Sequence, residues 1–314
     1  MNLIVIHTIF LVVLSICIVI INGACIYVIS TSKRLLQNPS IILILNIILI
    51  HFFQGIIVMP LYSIELFNGH GLVCGAYRFT SMLAFYGSCL SVFLLSLDRL
   101  LAIKMLTAYH VNVTKCRVLK SITLCWTYVV GLCLIPFFPF AKKTSSIVKC
   151  SYNQPKLWSI LMLVVNALLV YIFIVFNYVL VRQKLRKTNI LLRESTNSRN
   201  SGMNQGKCSK LFKVSKTTYV ILWLVLCYAI TWAPTIVYVL VQRLSLAPSI
   251  FNKHYYKSQI GAAITFYVKY INFFDGIISP IIFCYNFRAF RLKFKKINLK
   301  WSKSSNNSQV KFGN

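Results

Sequence analysis

Asp98 and Arg99 form an adjacent acid–base pair at one end of an apolar segment, and Cys74 stands at its other end, twenty-five residues earlier. No charged residue lies between Arg78 and Asp98. At ~1.5 Å per helical residue, Cys74 and Arg99 are roughly 37 Å apart, more than the ~30 Å hydrocarbon core of a bilayer. Such a segment offers a thiol to one side of a membrane and a permanent cation, steadied by its neighbouring carboxylate, to the other. Deep inside other apolar runs, the ionisable residues are essentially His51 and Asp275. These groups do not make an enzyme. Asp98 at an edge and Asp275 at depth cannot form an aspartyl dyad, and no Gly-x-Ser-x-Gly accompanies a membrane histidine. No Cys/His cluster has metal-ligand spacing, so neither a metal nor a cofactor is expected.

The elements that must position these residues are membrane helices. The chain has 314 residues, is 58% hydrophobic, and has a mean hydropathy of +0.72, too apolar for a water-soluble domain. Hydropathy predicts seven spans, over about 3–30, 40–62, 75–103, 118–140, 157–182, 217–242 and 258–284, each near the ~20 residues a crossing requires. Nothing remains for a second domain before a polar tail over 301–314. The N-terminus runs straight into the first span without a basic n-region, which reads as a retained helix. The formal charge of +30 comes from 34 basic and 4 acidic residues. Such a balance raises nucleic acid as a partner, but topology explains it better. With the N-terminus outside, nine basic residues fall on the outer side (Arg78, Lys142, Lys143, Lys149, Lys156, Arg243, Lys253, Lys257 and Lys269), leaving 25 inside. The expected protein is therefore a multi-pass membrane protein with a cytoplasmic C-terminus. Of eleven cysteines, most lie within spans as small hydrophobes, and Cys116 and Cys208 face the reducing side. Cys74 and Cys150 alone face the oxidising side and are the natural disulfide pair.

The connections are short except for a polar stretch over about 186–210, read as a flexible loop. Its serines and threonines beside arginines suit phosphorylation, or it is a solvated linker. After the seventh span, Phe287, Phe290 and Phe294 recur among cations, which predicts an amphipathic helix over about 286–300 lying on membrane lipid.

Together the orientation, the Cys–Arg spacing and a set of span motifs resemble the rhodopsin-like (class A) G-protein-coupled receptors. The motifs are Asn22 in the first span and Val58-Met59-Pro60 ending the second. Asp98-Arg99-Leu100 stands for DRY, Trp126 lies in the fourth span, and Tyr178 in the fifth, which lacks the usual proline. Thr231-Trp232-Ala233-Pro234 stands for C-W-x-P, and Ser279-Pro280-Ile281-Ile282-Phe283 for NPxxY. The resemblance covers about 1–300. It implies an all-α seven-helix bundle in the plasma membrane, an extracellular ligand, and a heterotrimeric G protein, with arrestin and receptor kinases as further partners. In such a receptor Asp98, Arg99 and Tyr178 serve coupling. Trp232, Tyr228, Pro234, Pro280 and Phe283 serve the activation switch, with Pro234 allowing the sixth span to kink. On their own, Trp232 and Tyr228 also read as ordinary core aromatics.

The resemblance also exposes departures. The family's acid in the second span is His51 here, and an acid appears instead at Asp275 in the seventh. With Asn22, Ser88 and Ser279 these define a buried polar cluster in which His51 pairs with Asp275 in place of a bound sodium ion. That pair is either a sensor or a static, satisfied contact. Ser81 sits where amine receptors carry an aspartate, so an amine ligand is not expected. Arg78, Lys269 and Arg243 surround the expected ligand entrance with positive charge, suited to an anionic group, unless Lys269 pairs with Glu65; Tyr86 and Asn166 are candidate polar contacts. Leu100 and Phe283 lack the family's hydroxyls, which keeps open a receptor fold that couples poorly to G protein. A small transporter would require several intramembrane charges or inverted repeats, which the chain lacks.

Overall fold

A computed structural model describes residues 3–68, 71–105, 108–137, 156–197, 205–244, 259–286 and 291. The described residues are almost wholly helical, with seven helices long and apolar enough to cross a membrane. We label these α1 (Leu3–Ser30), α2 (Pro39–Phe67), α3 (Gly71–Met105), α4 (Lys115–Leu134), α5 (Leu157–Lys187), α6 (Gln205–Leu244) and α7 (Gln259–Asn286). The expected membrane-surface helix over 286–300 and the tail lie almost entirely outside the described residues.

Local sequence sets the helix starts. Asn38 caps α2 by accepting from the Ser40 amide at 3.1 Å, with Pro39 at the first helical position. Thr114 caps α4. The outward faces carry exposed Ile9, Val13, Ile16 and Ile20 on α1 and Phe173 and Phe176 on α5, apolar surface that only lipid can cover at this depth. α3 is the central helix, packing against α2, α4, α5 and α6, while α7 closes the bundle between α6 and α1.

Prolines within helices leave carbonyls without donors, and α1 supplies replacements. Pro60 cannot donate to the turn before it, and α2 widens into a π segment over Gln54–Val58. The Gly55 carbonyl, five residues before Pro60, accepts from Ser15 Oγ at 2.7 Å. In α7, Pro280 removes the donor for the Gly276 carbonyl, which accepts instead from Asn22 Nδ2 at 2.8 Å. Gly55 lets α1 and α2 approach closely, since a Cβ there would lie 2.9 Å from Val19, while one on Gly276 would press the end of Ile18 at 3.2 Å.

The polar stretch expected to be a loop over 186–210 is helical through Asn197 and again from Gln205. Arg182-Gln183-Lys184-Leu185-Arg186-Lys187 are good helix formers, so α5 continues past its apolar segment as a polar helix. The missing proline of the fifth span has a structural counterpart, since Met162–Leu169 forms a π segment there.

Candidate functional site

Three constellations lie along the axis of the bundle. The first is a cavity of about 580 Å³ at the Cys74 end, between α2, α3, α5, α6 and α7. Its wall includes Glu65, Arg78, Ser81, Tyr86 and Lys269, and its floor includes Phe85, Trp232, Asn272 and Phe273. Arg78 is exposed at the mouth. Lys269 neither stands free there nor forms a close pair with Glu65. Its ammonium sits 3.8 Å from the Tyr62 ring centre and 5.1 Å from that of Tyr77, held on two aromatic faces. Glu65 remains within electrostatic reach of Lys269 and Arg78. Two buried polar atoms on the floor have no hydrogen-bond partner: Trp232 Nε1, a donor, and Asn272 Oδ1, an acceptor. Unsatisfied groups of this kind cost free energy until something meets them. Ser81 bonds back to the Arg78 carbonyl at 3.0 Å. Asn166, expected to reach the ligand, does not line this cavity. It lies in the π segment of α5, where its amide accepts from Tyr128 of α4 at 2.7 Å and donates to Met162 Sδ at 3.3 Å. The side chain of Arg243 is outside the described residues. Cys74 is disulfide-bonded, and Cys150, its expected partner, is also outside them.

The second constellation is at mid-depth. His51 Nε2 stands 3.4 Å from Asp275 Oδ2, both residues 1% exposed, and Ser279 Oγ donates to Asp275 Oδ1 at 2.8 Å. The space beside Asp275 and Ser279 is about 20 Å³, room for one water at most. Asn22 joins through α7, at the carbonyl next to Asp275. Ser88 does not bond to the pair; its hydroxyl donates to Phe85 of its own helix at 2.9 Å. Above the pair, Trp232 stacks on Phe85 with centres 4.9 Å apart, and Tyr228 lies 5.6 Å from Trp232 and donates to Cys89 Sγ at 2.9 Å. Phe283 is wholly buried in the same core as Tyr228, and Tyr178 packs at its edge. Pro234 lies inside α6 without ending it.

The third constellation is at the Arg99 end. Arg99 Nε donates to Asp98 Oδ2 at 3.0 Å, and its Nη2 also contacts Asp98 and Ser40 Oγ. Ser40 Oγ donates to the same Asp98 oxygen at 2.9 Å, and Tyr109 OH donates to Asp98 Oδ1. Tyr109, outside the spans, has its phenol pushed up to about 12 by burial and then by the Asp98 carboxylate, so it keeps the proton it donates. The pair is almost fully buried, at 5% and 3% side-chain exposure. Burial with two hydroxyl partners, Ser40 and Tyr109, satisfies it where isolation would not. The sequence reading missed Ser40 and Tyr109, since a hydroxyl at a helix start or in a connection has no periodic signature. It also missed Asn46, which donates to Ser91 at 2.6 Å and accepts from Trp126 at 3.0 Å, joining α2, α3 and α4.

The chain that carries this cavity, the buried His51–Asp275 contact and the enclosed Arg99 matches known proteins in sequence. A family model described as "7 transmembrane receptor (rhodopsin family)" matches residues 21–293. Across 89% of this chain, it is 22% identical to adenosine receptor A3 of Canis lupus familiaris, of which it covers 86%. It is also 22% identical, over 89% of the chain, to adenosine receptor A3 of Ovis aries, of which it covers 85%. A stretch of 118 residues, 36% of the chain, is 30% identical to dopamine receptor 4 of Caenorhabditis elegans, and it spans 23% of that protein's length. Seven helices long and apolar enough to cross a membrane and a match over most of its length settle the assignment: this chain is a multi-pass membrane protein of the rhodopsin family of seven-transmembrane receptors.

Proposed function

We propose that this receptor sits in the plasma membrane with its N-terminus outside and binds a small anionic ligand in the 580 Å³ cavity. The observation that carries this reading is the combination of two cations, Arg78 and Lys269, with two unpartnered polar atoms, Trp232 Nε1 and Asn272 Oδ1, on one cavity. The ligand's anionic group meets Lys269 and Arg78, while its polar remainder meets Trp232 and Asn272. Tyr86 and Ser81 line the way down, and the Cys74–Cys150 bridge fixes the entrance. The dopamine and adenosine receptors carry in their names an amine and a neutral nucleoside. Ser81 offers no acid to an amine, the Glu65 carboxylate already lies within electrostatic reach of Lys269 and Arg78, and two cations suit neither molecule.

Ligand contact at Trp232 is relayed through Tyr228 and Pro234 to movement of α6, and through Pro280 and Phe283 along α7. That movement frees Arg99 from Asp98, Ser40 and Tyr109 to meet a heterotrimeric G protein, with Tyr178 beside it; arrestin and receptor kinases act on the same inner face. The His51–Asp275 pair serves as an internal cation–carboxylate contact, which fits the one-water space beside it. A second reading, a receptor that couples poorly, is favoured by the closed network on Arg99 and by Leu100 and Phe283, which lack hydroxyls. The two separate in a guanine-nucleotide exchange assay on cells expressing the chain, screened with carboxylates, nucleotides and peptides. Exchange that Arg99→Ala abolishes at equal surface expression supports the working receptor. Specific binding of a ligand to the wild type without exchange supports the second reading.

A further inference from the structure

Cys25 of α1 and Cys284 of α7 face each other with their sulfurs 3.3 Å apart, in a thiol–thiol hydrogen bond near the Arg99 end of the bundle. Both are free thiols. They differ in access: Cys25 is 1% exposed, whereas Cys284 is half-buried beside the lipid-facing Tyr285. We propose that Cys25 and Cys284 form an intramembrane dithiol that lipid-soluble hydroperoxides oxidise to a disulfide tying α1 to α7. The inference does not depend on the ligand or the coupling proposed above.

Three features favour this chemistry. A disulfide requires side chains already aimed at one another, and closing 3.3 Å to the ~2.05 Å of an S–S bond requires about 1.3 Å of movement, within reach of small χ1 changes. One thiol is reachable from lipid while the other is sheltered, the arrangement of an attacking and a resolving cysteine. The hydrogen bond holds the two sulfurs in register, so that a sulfenic acid formed on Cys284 meets Cys25 before it can oxidise further. Cys17, exposed on α1, is bonded to no cysteine among the described residues and serves as an internal comparison.

The reaction balances with the hydroperoxide as the named oxidant. The Cys284 sulfur attacks the outer peroxide oxygen, the O–O bond breaks, and the lipid alcohol leaves, carrying the thiol proton, to give a sulfenic acid. The Cys25 sulfur then attacks the Cys284 sulfur. The S–O bond breaks, and hydroxide leaves with the Cys25 proton as water. Two thiols are oxidised by two electrons, and one peroxide is reduced to alcohol and water. The bond holds to α1 the end of α7 that carries Phe283, which packs in the same core as Cys25.

The test uses the full-length chain in lipid nanodiscs treated with cumene hydroperoxide, then denatured in dodecyl sulfate, alkylated with N-ethylmaleimide and digested without reduction. The expected product is a cross-linked peptide pair containing Cys25 and Cys284, lighter by two hydrogens and absent after dithiothreitol. Cys25 and Cys284 then lose alkylation in parallel. In Cys284→Ser, Cys25 stays fully alkylated after peroxide. The proposal is overturned if both thiols of the wild type remain alkylated. It is overturned equally if Cys284 proceeds to sulfinic or sulfonic acid with Cys25 untouched, or if the sulfurs pair with other cysteines. The wild-type measurement decides the matter even where the variant does not fold.

Discussion

Asn22→Ala tests the account of how α1 compensates the proline in α7. Asn22 Nδ2 donates to both Ile18 and Gly276, each at 2.8 Å. Ile18 lies one turn earlier in α1 and can still take the Asn22 amide proton. Gly276 lies four residues before Pro280, which has no proton to give. Truncation therefore strands one buried carbonyl, with a desolvation cost of about 1–3 kcal/mol. Interhelical hydrogen bonds in membrane bundles average about 0.6 and reach about 1.7 kcal/mol, so ~1–1.5 kcal/mol is the expected loss. The control is Pro280→Ala, which returns a backbone N–H to Gly276. In that background Asn22→Ala should cost much less, giving a coupling of about 1 kcal/mol in a double-mutant cycle. The assay is thermal or denaturant unfolding of the four proteins in one detergent. Additive losses, with no coupling, would refute the claim that Asn22 substitutes for the proline's missing donor.

Three further predictions rest on the other networks. His51→Leu strands the Asp275 carboxylate in the core and should destabilise by about 3–5 kcal/mol, while the double variant with Asp275→Leu recovers most of the loss; wild-type stability of the single variant in unfolding assays would contradict the pairing. Tyr109→Phe removes a donor from Asp98 and should cost about 1–2 kcal/mol. Because burial and Asp98 raise the Tyr109 phenol from its ordinary 10 to about 12, its contribution is complete below pH 10 and lost as pH rises towards 12. The loss in Tyr109→Phe should then be equal at about pH 6 and about pH 9, as read by unfolding at each pH; a loss that shrinks over this window would mean Tyr109 titrates there.

Much of this arrangement was legible because membrane helices leave few polar residues to choose from. Seven apolar runs announce seven helices, and an isolated His51 or Asp275 stands out in hydrocarbon as it never would in a soluble core. Both demand a partner, and the structure brings them within 3.4 Å. What escaped the reading has no periodic mark. Ser40 and Tyr109 meet Asp98 only because the start of α2 and the connection after α3 fold onto the end of α3. Polarity marked 186–210 as a loop, although Arg, Lys and Leu propagate a helix as readily in water as beside it. The π segment in α5 turns Asn166 towards Tyr128, a rotation that no residue pattern in Met162–Leu169 advertises. Lys269 read as a cation for the ligand or as a partner of Glu65, and its seat on Tyr62 and Tyr77 escaped because sequence gives no measure of how aromatic faces from other helices converge on a charge.

The most direct test of the central proposal is the concentration dependence of exchange for an anionic agonist on wild type, Lys269→Met and Lys269→Arg at matched surface expression. A charge-assisted contact worth about 1.5–3 kcal/mol corresponds to a loss of roughly 10- to 150-fold in potency for Lys269→Met. Lys269→Arg should retain most of the potency, with the maximal response unchanged in both. Equal potency in wild type and Lys269→Met would remove the anion from the cavity and contradict the account.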